Sequence, residues 1–517
     1  MNKYPLVGKC LAVGIILLFI GTCIIPAIAQ VIKESSQPAS KDHWLYVGGS
    51  GPGNYTTIQD AINDASDGDT VFVYDDSSPY VENVKINKSV FVLGENRDTT
   101  EIKAYYYNDD IITVFADNVV VSSFTIRDGP GGIGIYSSHD VTIVSNKISE
   151  TGVGIDVESS SNISILDNIF DLNYIIVVIQ YSSNCNIHYN DFTALRRTIG
   201  KTIGPPSGPP LGLGGLRNSS IQGNIFRGWT EYSYMMGGSC CDNIISNNSF
   251  TGGGFIYIDL KDSNRNTICN NSITGISAYG DGISLAESNN NIIKNNYIGQ
   301  NTNGIMLSYA SNNNSIIGNT FDGNDLDCYL SSSNNNLIYY NNFITQNHVF
   351  DDGENNWNNG YPSAGNHWYS YTGVDHLSGP GQNESGPDGV GDTPYDIPGG
   401  FNQDHYPLML PYGMTQLAFA LHGGLGFSGT ITNVGNTTAF MVHFRQTVEG
   451  GFILRGRDSL FDAPKPLLPG EKVVVKSRMI FGFGKIQLTI AFWADNAPYM
   501  ERTSSATVIL FFIIGLH

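Results

Sequence analysis

Asp156 and Glu158 in GIDVES are carboxylates whose type and spacing suit acid–base chemistry. On an extended strand they share a face about 7 Å apart. At such separations one carboxyl can protonate a glycosidic oxygen while the other activates water or attacks. Isolated surface acids are the plainer reading in a chain with 47 Asp and Glu. The stretch EYSYMMGGSCC brings Met235, Met236, Cys240 and Cys241 close together. Thioethers and thiols suit copper(I) and imidazoles suit copper(II), so His367 and His405 join them as copper candidates, although they lack ligand spacing. Met and Cys equally replace Ile inside a core. Asp388 and Asp392 in DGVGD offer carboxylates to calcium, without the middle ligand of an EF-hand loop. A turn braced by Asp is the alternative.

Ring faces of Trp357, Trp368 and Tyr369 would suit sugar stacking, or else the small core of a cap. Arg196, Arg197 and Lys201 form a basic patch within a Pro/Gly-rich excursion that would bind anionic polymer, or serve as a plain insertion. The sequence shows no nucleophilic triad or dinucleotide fingerprint. GGSGPGN at 48–54 lacks the Lys of a phosphate loop.

The elements that must position these groups come from one recurring pattern: Ile, two residues, Asn, one residue, Ile or Phe. Its asparagines are Asn146, Asn168, Asn190, Asn224, Asn248, Asn271, Asn296, Asn319 and Asn341, spaced 22, 22, 34, 24, 23, 25, 23 and 22 apart. Such a period signals a solenoid. Two inward residues five apart cannot share one face of a straight strand. A bend therefore lies between them, and Asn is expected to make it in the left-handed conformation. In register, these amides are expected to hydrogen-bond from coil to coil, giving the column a structural role. Units of this length, with a second short strand in each (GIDVESS, GISLAES), predict an all-β chain built on a right-handed, single-stranded parallel β-helix.

Residues 55–66 have apolar spacing suited to a capping helix over the open end. From about Thr415 the period gives way to alternating strands with turn signals, expected to form a small β-sandwich in which the terminal ATVILFFIIG is a buried final strand. The outward columns beside the inward Ile contain no carboxylate. The reading divides the chain into an export signal or N-terminal anchor (1–29), a linker (30–44), the β-helix (45–345), a loop-rich closing segment (346–412) and the sandwich (413–517).

Lys3 and Lys9 precede an apolar run from Cys10 to Ala29 that ends small-x-small, which predicts export, with membrane contact through this segment alone if it stays uncleaved. Five further cysteines, an odd number, do not form a disulfide framework. The net charge of −20 disfavours nucleic acid.

WLYVGGSGPGNYTTIQDAINDASDGDTVFVYDD resembles the start of extracellular archaeal β-helix proteins, and NNWNNGYPSAGNHWYSYTGVDHLSGPG through QDHYPLMLP resembles the closing segment of the NosD-like family. With the repeats, the resemblance covers residues 45–412. It implies a β-helix of the pectin-lyase type followed by an immunoglobulin-like sandwich, at the cell surface or secreted. The family's name-giving member is associated with copper delivery to nitrous oxide reductase, and a looser relationship leads to carbohydrate-binding proteins and sugar hydrolases. The resemblance thus implies a binding or scaffold protein rather than an enzyme. Its expected partner is either a polysaccharide or a copper-dependent protein, and copper or calcium is the expected ion if one is bound. A carbohydrate-active enzyme and a purely structural or adhesive surface protein are the alternatives.

Overall fold

The computed structural model describes residues 43–514, apart from 172, 194–208, 228–234, 253–254, 276–279, 346–347, 387, 414–416, 434–438, 440, 464–466, 468–470, 477–479 and 495–496. The expected export segment and the Arg196, Arg197 and Lys201 patch lie outside the described residues.

Alternation of Ile with polar neighbours builds a first sheet of thirteen parallel strands, from Trp44–Val47 through Thr142–Val144 to Leu337–Tyr339. Ile143, Ile165, Ile187, Ile221, Ile245, Ile268, Ile293, Ile316 and Ile338 stack inward, each at most 1% exposed. A second ladder carries the inward Ile or Phe that follows the Asn, and a third carries strands such as Ile175–Gln180 and Ile256–Lys261. Thr125–Tyr136 and Lys147–Glu158 run through the corner between these two ladders and pair in both. Stacked rings fill part of the interior: Phe170, Phe192, Phe226 and Phe250 follow one another at centroid distances of 5.2, 4.6 and 4.6 Å.

The column asparagines do not themselves take the left-handed conformation. The residue before each does: Ser145, Asp167, Tyr189, Gly223, Asn247, Asn270, Asn295, Gly318 and Tyr340 have φ between 52° and 68°. The Asn that follows is buried and replaces the missing backbone ladder at the corner. Asn271 is representative. Its backbone N–H and its Nδ2 both donate to Asn296 Oδ1, its Nδ2 also donates to Ile245 O, and its own Oδ1 accepts both donors of Asn248. Donor and acceptor capacity are thus both used, which is the condition for burying an amide.

A second corner holds two more columns. In one, Asn243, Asn266, Asn291, Asn314, Asn336 and Asn355 repeat the same bonds. In the other, the hydroxyls of Ser263, Ser288, Ser311 and Ser333 accept the N–H of the coil before. Every backbone N–H in these columns points toward the C-terminal end, so the last amide meets a group that only accepts. Asn366 donates to Asp404, Asn355 to Asp351, and Asn324 to Asp327.

At the N-terminal end α1 (Ile58–Asp64) covers the core, burying Ile58, Ala61 and Ile62, with the Thr57 side chain accepting from Asp60 N. The Glu82 carboxylate takes the free N–H groups of Ile58 and Gln59, as expected of an anion at a helix N-terminus. At the other end the ring stack runs Phe321, Phe343, Trp368, Tyr395 at 5.0, 4.3 and 4.3 Å. The closing segment thus supplies the next layer of the core.

Beyond it, seven antiparallel strands pair in the order Asp458–Asp462, His443–Arg455, Phe481–Ala494, Ala497–Leu510, Phe512–Ile514, Leu417–Asn433, Lys472–Lys476. Phe419 contacts Phe444 and Phe492, on strands it does not pair with, at 5.7 and 5.3 Å. The sheet therefore folds over onto itself in two layers around a separate core, the sandwich architecture. Its final strands are only half-buried: Val508 and Ile513 point in, while Ile509, Leu510, Phe512 and Ile514 are exposed. This corrects the expectation of a buried C-terminal strand.

Candidate functional site

Coil length varies most at one corner, between the second and third ladders. From Phe170 to Val177 the chain turns directly, whereas excursions separate Phe192 from Leu211, Phe226 from Met235 and Ile102 from Ile112. In the last of these, 104–111 reads AYYYNDDI. Asn83, one coil earlier, pins it: Oδ1 accepts from Tyr105 N and Tyr106 N, and Nδ2 donates to the carbonyls of Tyr106, Asp109 and Asp110. The loop leaves Tyr105, Tyr106 and Tyr107 more than 60% exposed.

Pinning aims Asp110 across the third ladder. Its carboxylate lies over Gly131 and Gly134, and a Cβ at Gly134 would overlap both Asp110 and the Tyr136 ring. The Tyr136 hydroxyl is 3.0 Å from Asp110 Oδ2 and 3.5 Å from Asp156 Oδ2. The two carboxylate oxygens are therefore at most about 6.5 Å apart, the sum of those lengths. Burial raises the pKa of Asp110, with Asp109 adding to the rise and the Tyr136 hydrogen bond opposing it. Burial likewise raises that of Asp156, reinforced by the charges of Asp110 and Glu158. Tyr136 is pushed above the ordinary phenol value by burial and then by both carboxylates. Phe115 flanks Tyr136 at 6.1 Å and is 54% exposed.

Of the expected pair, Asp156 is in this cluster, while Glu158 is exposed and sits in register with Tyr136. The carboxylate that faces Asp156 is Asp110, missed because it comes from a loop two coils earlier. The run YYYNDD between two strands was the available signal. Farther along the same column, Val178, Gly212 and Met236 separate Asp156 from Asp259. Four strand spacings, about 19 Å, keep those two acids from acting together.

The remaining candidates do not assemble. Met235 and Met236 point to opposite faces of one strand, Met235 fully buried between Leu211 and Ile258 and Met236 44% exposed. Cys240 occupies a position in the serine column, its Sγ donating to Gly238 O, and Cys241 is also buried. Strand alternation thus separates Met236 from Met235, and Met235, Cys240 and Cys241 take up buried positions of the coil. His405 is exposed; His367 is half-buried, its Nδ1 buried without a hydrogen-bond partner, and burial lowers its pKa.

Asp388 and Asp392 are turned onto backbone donors: Asp392 accepts from His376 N and Leu377 N, and Asp388 from Gly379 N, Val390 N and Gln382 Nε2. Carboxylates ringed by N–H groups brace loops and do not present oxygen to calcium. Among the described residues no group of three or more His, Cys, Asp or Glu is placed to hold a metal. Trp357 and Trp368 are at most 2% exposed, with indole N–H groups held by Asp351 and Asp404. They form the cap and not a sugar platform. Tyr369 is 67% exposed.

Residues 215–373 match the family described as periplasmic copper-binding protein (NosD), and residues 49–199 match the right-handed β-helix region. The chain is a NosD-like right-handed β-helix protein. Similar solved structures include the Dettilon tailspike protein (14% identity, 87% of this chain and 78% of that one, TM-score 0.39). They also include DFA-IIIase from Arthrobacter chlorophenolicus A6 (12%, 65% and 93%, 0.34) and alginate lyase from Paenibacillus sp. str. FPU-7 (12%, 60% and 94%, 0.27). No curated protein matches the chain. The family's periplasmic description suggests an extracytoplasmic location.

Proposed function

We propose that this chain is an extracytoplasmic β-helix protein that binds polysaccharide along the flank carrying Asp110, Tyr136 and Asp156. The observation that carries the reading is a tyrosine hydroxyl set between two half-buried carboxylates, beside the exposed ring of Phe115 and next to an exposed tyrosine loop. Carboxylates accept hydrogen bonds from sugar hydroxyls, and aromatic faces cover their C–H surfaces, so this combination suits an uncharged or cationic glycan. The copper of the family's description finds no fitting donor set among the described residues, and no step is assigned to it here.

Affinity electrophoresis against a polysaccharide panel tests the reading, with Phe115→Ala, Tyr136→Phe and the double substitution Asp110→Asn with Asp156→Asn. Retardation by at least one polysaccharide, weakened about tenfold or more in the double variant, supports it. Wild-type retardation in all three variants, or none for the wild type, sinks it.

A second reading has its own support. The upper bound of about 6.5 Å on the Asp110–Asp156 oxygen separation reaches the range of acid–base pairs in glycoside hydrolysis, and burial raises the pKa of both carboxyls. Shared through one hydroxyl, they would titrate as a pair, leaving one protonated and one ionised over an interval of pH. Release of reducing ends, lost in either single Asp→Asn variant while binding persists, would convert the binder into a hydrolase.

A further inference from the structure

The chain is electrically divided. Residues 413–517 carry nine Lys and Arg against six Asp and Glu, whereas residues 1–412 carry eighteen against forty-one. A basic domain on a strongly acidic protein calls for a partner of its own.

The outer face of that domain's sheet shows what kind. Phe452 lies opposite Phe483, Phe483 opposite Ile509, and Ile509 opposite Phe512. Directly opposed residues share a face, and these four are 67, 48, 47 and 52% exposed. They form one apolar row across four strands, about 14 Å long. On one side Lys485 and Ile514 continue the face, with Glu449 opposite Gln487 at its edge; on the other lie Arg455 and the stacked rings of Phe481 and Phe511. Lys485 and Arg455 are exposed. Contiguous apolar surface of this kind marks an interaction site.

We infer that this face docks the C-terminal domain on an anionic lipid surface, with the Phe/Ile row entering the acyl boundary and Arg455 and Lys485 at the headgroups. Charge complementarity selects the occupant, since basic residues around an apolar ridge match anionic headgroups over hydrocarbon. The acidic β-helix of a second copy offers the charge, but its exposed apolar side chains, such as Phe115 and Ile244, are scattered and form no matching row. A second basic domain offers hydrocarbon with the wrong charge. The contact is made by the side chains of an exposed sheet face, and no helix among the described residues is long and apolar enough to cross a membrane. The inference stands apart from the glycan reading, which concerns the opposite part of the chain.

Co-sedimentation of the full chain with vesicles of phosphatidylcholine alone, and with added phosphatidylglycerol, tests it. Binding is expected only to the anionic vesicles and should weaken with salt. Phe452→Ser with Phe483→Ser and Phe512→Ser should lower partitioning tenfold or more. Arg455→Glu with Lys485→Glu should lower it by at least the roughly fivefold per basic residue that surface attraction gives. All substituted positions are exposed, and an unchanged circular dichroism melt confirms folding. Equal partitioning of wild type and both variants, or no wild-type binding at all, overturns the inference. So does a dimer of the wild type that the triple Phe variant dissolves, which would make the face a contact between copies.

Discussion

Asp404 ends the longest amide column, and its replacement by Asn tests the logic of that ending. Its Oδ2 accepts from Asn366 N at 2.7 Å, Trp368 Nε1 at 2.9 Å and Asn366 Nδ2 at 3.4 Å, while Oδ1 accepts from Tyr406 N at 3.1 Å. All four partners are donors. Asp404→Asn keeps the shape but must aim its NH₂ at the Tyr406 N–H, leaving donors without acceptors at about 1–3 kcal/mol each.

The pH dependence separates this from a generic loss. Burial pushes the Asp404 pKa up to about 7, against the opposing hydrogen bonds from Trp368 and Asn366. A carboxyl raised above its ordinary 3.8 stabilises the fold fully below 3.8, and that contribution disappears as pH rises through 7. The full difference is about 4 kcal/mol, of which more than half falls between pH 5 and 8. Asp327, also pushed to about 7 by burial, contributes a similar amount. The wild type should therefore be about 5 kcal/mol less stable at pH 8 than at pH 5 from these two groups, and Asp404→Asn should lose about half of that slope. Urea midpoints at the two pH values, followed by fluorescence of the buried Trp357 and Trp368, measure it. A variant with the wild-type pH slope would refute the assignment, because the buried proton would then not reside at the end of the ladder.

Three further outcomes follow from particular contacts. Asn271→Ala orphans the backbone and side-chain donors of Asn248 and should cost about 3–5 kcal/mol in urea denaturation; a cost below about 1 kcal/mol would show that the column is dispensable. Met235→Ala should cost about 2–4 kcal/mol by opening a core cavity, while Met236→Ala stays within about 0.5 kcal/mol, and anaerobic copper(I) titration should give the same result for both variants and the wild type. Gly134→Ala should impair polysaccharide retardation by displacing Asp110 and Tyr136, with little change in the thermal midpoint; intact retardation would place the ligand elsewhere.

The solenoid was legible because its physics repeats. Each coil must bury an Ile, turn, and bury an Ile or Phe, so the spacing of Asn271, Asn296 and Asn319 shows directly in the sequence. The role of that Asn was assigned one residue too late in the bend: αL falls on Asn270, and Asn271 closes the hydrogen bonds that αL opens. The second asparagine column is also present in the sequence, as in Ser263–x–x–Asn266 and Ser288–x–x–Asn291, but its residue types are those of any polar turn. Asp110 could not be paired with Asp156 by any local period, because their meeting depends on how far one excursion reaches and on Asn83 one coil below. Met235 and Met236 misled for a related reason: neighbours in sequence are split by strand alternation between core and solvent.

The ladders also account for where variation is tolerated. From Ser122 onward, where the asparagine column runs, the chain takes the same short step at the first-to-second ladder corner, as from Val144 to Lys147 and from Lys294 to Tyr297. An inserted residue there would pull one Asn out of register and orphan the amides above and below it. The corner with the serine and second asparagine columns varies little: the step from Leu307 to Ile316 is one residue longer than the matching step from Leu285 to Ile293. At the remaining corner only short runs exist, such as Thr151 to Asn173 and Asn301 to Asn324 to Asp327. Insertions there break few buried bonds, and this corner holds both the tyrosine loop that carries Asp110 and the excursion after Phe192. The polar columns thereby confine sequence novelty to one flank. The candidate chemistry is found on that flank because it is where the β-helix can change without losing its core.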